Sequence, residues 1–258
     1  MTTLLTGSEG YIGSHLKKII ECDPFDLKLG QDIRTLNYNL DHDVVIHLAA
    51  LVQVGESVKN PIDYYTTNVF GTLNLLKRCK PKHFIFASTG AAEQPNSPYA
   101  LSKLAAEQIV TQYCRENNIN YTIFRFYNVI GCDPDVQLTN EDGLFYALKQ
   151  ATQTGVFKLY GSDYNTPDGT AIRDYVHVHE ICESIESCID NPSNGIECLG
   201  HGQGHSVKQI VDTFKQVNAI DFEVNYTGRR SGDLERSVLD RVSKYMKSKY
   251  TIKEMLKL

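Results

Sequence analysis

Nowhere does the chain approach the roughly 20 uninterrupted apolar residues that cross a bilayer, and its opening, Met1-Thr2-Thr3-Leu4-Leu5-Thr6-Gly7, carries neither a basic nor an apolar leader pattern. No membrane partner is expected, and the cytoplasm is the expected compartment. The seven cysteines, Cys22, Cys79, Cys114, Cys132, Cys182, Cys188 and Cys198, are odd in number and scattered, without a C-x-x-C pair. Reduced thiols are therefore expected, rather than a zinc ribbon, a redox dithiol or a disulfide framework. Positive charge is not in surplus: 26 Lys and Arg against 31 Asp and Glu leave a net charge of −5. Such a field repels a polyphosphate backbone, so nucleic acid is not an expected partner. Internal repeats and low-complexity tracts are also missing. What remains is an ordinary globular composition, 41% hydrophobic and 22% charged over 258 residues, enough for one large domain with a small lobe.

Short apolar runs alternate with amphipathic stretches, the pattern of a parallel sheet with helical crossovers. The expected fold is α/β, a Rossmann-type doubly wound parallel sheet with a small C-terminal substrate-binding lobe. Expected strands are Thr2–Thr6, Phe25–Lys28, Val44–Leu48, His83–Ser88 and Tyr121–Phe126, several apolar at consecutive positions as strands covered on both faces are. Expected helices include Ser14–Cys22, Ile62–Cys79 with its Val69, Leu73 and Leu76 stripe, and one from Ser97-Pro98, where serine caps and proline fills the first turn. Beyond about Gly131 the polar stretch Asp133–Asp142 and the loop Gly161–Gly169 mark a second unit. The expected division is 1–131 for the nucleotide-binding domain, with 170–200 returning to it through Tyr175–Val178 and Ile196–Leu199. Segments 132–169 and 201–258 are then the substrate lobe.

Gly7-Ser8-Glu9-Gly10-Tyr11-Ile12-Gly13 follows the first strand and opens a helix, the setting a dinucleotide fingerprint requires. Its glycines serve, in order, the tight turn, backbone approach to a pyrophosphate and close helix–strand packing. A carboxylate ending the second strand takes the adenosine ribose hydroxyls and selects NAD over NADP. Asp26 is the candidate, with Asp32 as the fallback beside the adenine and Lys28 as a feature that favours NADP. Tyr99 and Lys103, four apart after Ser97-Pro98, project from one helix face, where the ammonium favours phenolate and makes the phenol a base near neutral pH. Tyr245/Lys249 repeats the spacing but lies outside the expected sheet, where a surface position is expected. Ser88 and Thr89, ending the fourth strand, bring hydroxyls to the same sheet edge. Around the pair His177/His179 no acidic or cysteine partner completes a metal-ligand spacing, so structural histidines and no metal are expected. Ser206 explains Gly200–Ser206 as a capped turn.

These motifs resemble the extended short-chain dehydrogenase/reductase family, and within it the UDP-glucose 4-epimerases. The likeness rests on Thr6–His15, His47–Val58, Asn68-Val69-Phe70-Gly71-Thr72, Ser97–Lys103, Tyr160–Val178 and Arg229–Leu234. It implies NAD as cofactor, a UDP-sugar as substrate and a homodimer through Ile62–Cys79 and Pro98–Asn117. Carried over by position, it implies that Thr89 bonds the sugar C4 oxygen, Tyr99 is the base and Lys103 holds the nicotinamide ribose. Gly7, Gly10, Tyr11, Ile12, Gly13, Asp26, Asp32, Ile33, Leu48, Ala49, Ala50 and Asn68 form the rest of the expected cofactor set. Ser88, Asn128, Arg173, Arg230, Asp233 and Ser237 face the nucleotide sugar, with Arg173 and Arg230 on the diphosphate and Asp233 on the uridine ribose. The implied reaction is C4 epimerisation through a 4-keto sugar. Dehydratases and decarboxylases of the family need an acid just after the Thr89 position, where this chain has Gly90-Ala91-Ala92. The same motifs also accommodate a reductase and a non-catalytic NAD(H)-binding module. The chain is shorter than usual members between Thr89 and Tyr99 and at its end, and Val52 replaces a frequent cofactor-contacting lysine. Ser237, small where others carry tyrosine, implies room for an N-acetyl group.

Overall fold

Val44-Val45-Ile46 and Phe84-Ile85-Phe86 are apolar at every position, which is sustainable only for strands covered on both faces, and every one of these side chains is buried. The computed structural model describes residues 1–136, 143–230 and 232–258, so the polar stretch expected at 133–142 lies partly outside the described residues, as does Ser231. The first half runs β1 (Thr3–Thr6), α1 (Tyr11–Leu16), β2 (Asp23–Phe25), β3 (Val44–His47), α2 (Val54–Lys59), α3 (Pro61–Tyr64), a π-helical segment Tyr65–Phe70, α4 (Gly71–Arg78), β4 (His83–Thr89), α5 (Pro98–Glu116) and β5 (Asn120–Phe126). The second runs β6 (Asn128–Ile130), α6 (Leu144–Thr154), β7 (Val156–Tyr160), β8 (Ile172–His177), α7 (Val178–Ile189), β9 (Gly195–Leu199), β10 (Gly204–Ser206), α8 (Val207–Asn218), β11 (Glu223–Thr227), β12 (Arg236–Ser237) and α9 (Ile252–Met255).

Six strands form one sheet in the order β2-β1-β3-β4-β5-β9, all pairs parallel. Alternate side chains divide between its faces, as the strand period of two requires. Leu5, Val44, Ile46, Ile85 and Phe124 pack with Leu16 and with Ile181, Cys182 and Ile185 of α7. Leu4, Val45, Phe84, Phe86 and Ile123 pack with Leu75 and Leu76 of α4 and with Ala106, Val110 and Cys114 of α5. This is the expected α/β architecture. Ser97 caps α5 by accepting from Ala100 N, with Pro98 in the first turn.

Five local expectations need correction. The second strand covers Asp23–Phe25 rather than Phe25–Lys28, because the Asp26 carboxylate accepts from Lys28 N and caps a 3-10 turn over Leu27–Leu29. The first helix covers Tyr11–Leu16 rather than Ser14–Cys22, since Lys18 and Ile19 N–H groups already bond three residues back to His15 and Leu16. The helix expected over Ile62–Cys79 contains the π segment Tyr65–Phe70. Gly195–Leu199 joins the main sheet beside β5, but Tyr175–Val178 does not: β8 pairs with β6, β10 and β12. Tyr245 is not at the surface; its ring meets Phe124 edge-on and its hydroxyl donates to Asn191 O.

A third core lies between α6, α8, β7, β8 and α9, with Phe145, Leu148, Phe157, Phe214 and Leu256 inside it. Two buried carboxylates, Asp174 of β8 and Glu180 of α7, anchor irregular backbone. Asp174 accepts from the N–H groups of His201 and Gly202, each at 2.8 Å, and of Leu239 at 3.2 Å. Glu180 accepts from Lys249 N at 2.7 Å, Tyr250 N at 3.2 Å, His177 N at 2.9 Å and His201 Nε2 at 2.9 Å. Each satisfies donors that would cost about 1–3 kcal/mol apiece if buried unpaired. His177 closes the N-terminus of α7 in a reciprocal cap with Glu180, and Ser206 does the same for α8 with Gln209.

Candidate active site

A cleft of about 1320 Å³ opens at the carboxyl ends of β1, β3, β4 and β5 and is walled on its far side by α6, β7, β8 and β12. Ligands of open α/β sheets bind at this edge. All the expected site residues line it except Asn68. Asn68 is buried and turned away: its amide accepts from Leu51 N at 2.8 Å and donates to Leu51 O at 2.9 Å and Ser102 Oγ at 3.0 Å. Its service is to tie the backbone after β3 to α5. Behind that backbone His47 is held between the hydroxyls of Thr6 and Thr72, and burial pushes it down to about 3, so it is a neutral scaffold residue.

The glycine loop fits a dinucleotide. Gly7 has a φ of +73°, and a Cβ there would stand 2.6 Å from Ala49 N; a Cβ on Gly13 would stand 2.2 Å from Gly7 O. No side chain therefore fills the space, and Gly10 lays none over the first turn of α1, leaving N–H groups for a pyrophosphate. Asp26, at the end of β2, accepts from Glu9 N at 3.0 Å and Lys28 N at 2.9 Å, while each oxygen keeps lone-pair capacity for a ribose hydroxyl. The cations that would suit a 2′-phosphate are engaged: Arg34 is forked on Asp32 and holds its carboxyl low, and Lys28 donates to Glu9 O. Val52, half-exposed, also lines the cleft.

Thr89, Tyr99 and Lys103 share the floor of the cleft. The ammonium of Lys103 lies 4.3 Å from the centre of the Phe86 ring. Burial pulls Lys103 down to about 7 against the opposing pull of Glu107, and pushes Tyr99 up to about 12 against the hydroxyl of Thr89. Glu107, one turn beyond Lys103, is 2% exposed; it accepts from the Ser88 hydroxyl and from Arg125 at 2.9 and 2.7 Å. Ser88 thus spends its hydroxyl beneath the site. Glu107 and Arg125 were not singled out from the sequence, although the four-residue step from Lys103 places Glu107 on the same helix face.

On the far wall Arg173 stands 3.8 Å from Asp233, and the Arg230 guanidinium lies 4.0 Å over the Tyr160 ring. Ser237 is registered against Arg173 across β12 and β8. Asn128 donates to Asp174 O at 3.3 Å. Tyr175 Oη is buried with no partner among the described residues, which leaves it for a ligand. Tyr146, Gln150 and Lys158 also line this wall; nothing in the local pattern of α6 or β7 distinguishes them from solvent-facing residues. The structure also supplies what sequence adjacency hid at His179: Asp133 and His15 lie against it.

Residues 18–198 match the NAD dependent epimerase/dehydratase family. The chain is 32% identical to a UDP-glucose 4-epimerase of Halalkalibacterium halodurans, over 90% of this chain and 85% of that protein. It is 33% identical to one of Yersinia pestis, over 91% and 88%. The crystal structure of UDP-glucose 4-epimerase from Bifidobacterium longum in complex with NAD+ and UDP superposes with a TM-score of 0.84 at 27% identity, covering 99% of this chain and 96% of that one.

Lys103 carries a stability cost with a definite pH signature. Its pKa is lower folded than unfolded, so between about 7 and 10.5 the unfolded chain binds more protons and stability rises with pH. Lys103→Met is expected to be more stable than the parent at pH 6 by on the order of 2 kcal/mol, with the gap closing towards pH 10. Urea unfolding at the two pH values checks this; a less stable variant at pH 6 would refute it.

Proposed function

The chain belongs to the NAD dependent epimerase/dehydratase family, and on that premise we propose that it catalyses NAD-dependent C4 epimerisation of a UDP-sugar, UDP-glucose/UDP-galactose with UDP-GlcNAc/UDP-GalNAc as an extension, through a 4-keto intermediate. The observation that carries this reading is the placement of Thr89, Tyr99 and Lys103 in one cleft, between the glycine loop and the wall bearing Arg173 and Arg230. NAD, when bound, supplies hydride acceptance and return at sugar C4. Tyr99 takes the O4 proton and gives it back, and Thr89 orients that oxygen. Tyr99 is a poor base at about 12; the Lys103 ammonium and the positive charge of an oxidised nicotinamide both favour its phenolate. Arg173 and Arg230 offer guanidinium forks to a diphosphate, and Asp233 offers acceptors to a uridine ribose. Segments 132–169 and 201–258, which supply most of the third core, are the sugar-nucleotide side in this reading.

Each competing activity lacks a feature here. A dehydratase needs an acid beside Thr89, where Ala91 lines the cleft. A reductase needs exchangeable NADPH, against Asp26 and the engaged Arg34 and Lys28. A binding module without catalysis needs no base, whereas Tyr99 stands with Lys103 in the cleft here. Seven free cysteines suit a reducing cytoplasm. Ile62, 72% exposed, with Phe70, Leu73 and Leu101 leaves an apolar face on the helices expected to dimerise; light scattering should give twice 29.1 kDa, and a monomer would remove the dimer.

Proton NMR of the protein with NAD and separate UDP-sugars tests the reaction. The C4 epimer's anomeric signal should appear, and Tyr99→Phe should slow it by about 10²–10⁴-fold. Absence of conversion with NAD bound points to the binding module, and 4-keto-6-deoxy signals to a dehydratase. In the same assay Ser237→Tyr should depress turnover of UDP-GlcNAc relative to UDP-glucose by at least about tenfold; an unchanged ratio means Ser237 does not shape the acyl pocket.

A further inference from the structure

Behind the glycine loop, outside the cleft, three side chains from distant parts of the chain meet: His15 in α1, Asp133 in the loop after β6, and His179 in α7. One ligand atom from each lies within 4.8 Å of the others. We propose that this cluster is a divalent transition-metal site, selective for Zn²⁺-like ions, that clips α1 and α7 to the loop leading from β6 into the substrate lobe.

The donor set and its supports point the same way. Two imidazoles and one carboxylate with an open position for water are a zinc-type set, and borderline ligands of this kind favour Zn²⁺ or Co²⁺ over Mg²⁺ or Ca²⁺. Metal-binding histidines hold their second nitrogen on a carbonyl or hydroxyl. His15 Nδ1 is 2.8 Å from Tyr11 O, leaving Nε2 as the lone pair that faces Asp133. His179 Nδ1 is 3.2 Å from Tyr250 Oη, and its Nε2 lies 2.6 Å from Asp133 Oδ1.

A cation already occupies the neighbourhood: Lys18 Nζ lies 2.8 Å from Asp133 Oδ2 and 2.6 Å from Asp135 Oδ1. Binding an ion requires two concessions. Lys18 must leave Asp133 for Asp135, which it already contacts, and the Asp133 N–H must give up His15 Nε2, 3.0 Å away, and turn to solvent. Lys18 and Asp135 are partly or largely exposed, so both moves are open. His177, stacked on Tyr250 at 4.2 Å and engaged as the cap of α7, stays outside the ligand set.

The test uses the full chain stripped with a chelator, titrated with Zn²⁺ by calorimetry and with Co²⁺ by visible absorption. One ion per chain, low-coordinate Co²⁺ d–d bands and a raised melting temperature are expected. His179→Gln, at a partly exposed position, should weaken binding by more than about tenfold. Lys18→Ala should tighten it by removing the competing ammonium. No stoichiometric binding, binding unchanged in both variants, or weaker binding in Lys18→Ala would overturn the proposal. The readouts are independent of sugar turnover, so the proposal stands or falls apart from the epimerase reading.

Discussion

Keeping the Lys103 ammonium out of water is the constraint on which the site depends. A buried ammonium is tolerated only where neighbours replace its hydration. The Phe86 face on β4 and the Glu107 carboxylate one turn along α5 do so here. Glu107 is in turn held by Arg125 from β5 and by the Ser88 hydroxyl, so two adjacent strands and the long helix must be in register before the lysine can be charged. The same packing that covers both faces of the sheet lowers Lys103 towards neutrality and raises Tyr99. Chemistry at the floor of the cleft therefore draws on electrostatic tension that the core maintains.

The two sides of the cleft are joined by more than chain connectivity. Tyr11 donates to Gly131 O, His15 meets the Asp133 backbone, and Lys18 pairs with Asp133 and Asp135. The helix that opens at the glycine loop is thus bonded along its length to the segment that follows β6. Asp174 and Glu180 act similarly further on, gathering N–H groups from segments near 201, 239 and 249 that have no ladder partners of their own. Buried carboxylates serving as acceptors for irregular backbone let a short lobe hold its shape with little regular structure.

Much of the glycine-loop side of the cleft was legible because local physics fixes it. Consecutive apolar residues identify covered strands, Ser97-Pro98 starts a helix by its own chemistry, and the spacing of Gly7, Gly10 and Gly13 answers to backbone contacts within a few residues and with Ala49. Asn68 misled because its motif marks a place near the cofactor loop but not which way the amide turns; Leu51 and Ser102 decide that. Tyr245 misled because burial against Phe124 comes from a partner more than a hundred residues away. Tyr175–Val178 reads as a sheet strand by pattern alone, yet its partners are β6, β10 and β12, which only the packing of the lobe brings to it.

Residue type and short-range spacing were enough to set the fold class, the glycine loop, the Tyr99/Lys103 pair on one helix face and the lack of an acid beside Thr89. Folding in three dimensions added the protonation tendencies of Lys103 and Tyr99, the engagement of Arg34 and Ser88, the facing of Arg173 and Arg230 across from the glycine loop, and the meeting of His15, Asp133 and His179. Those are properties of burial and of long-range approach, and neither is encoded in the spacing of neighbours along the chain.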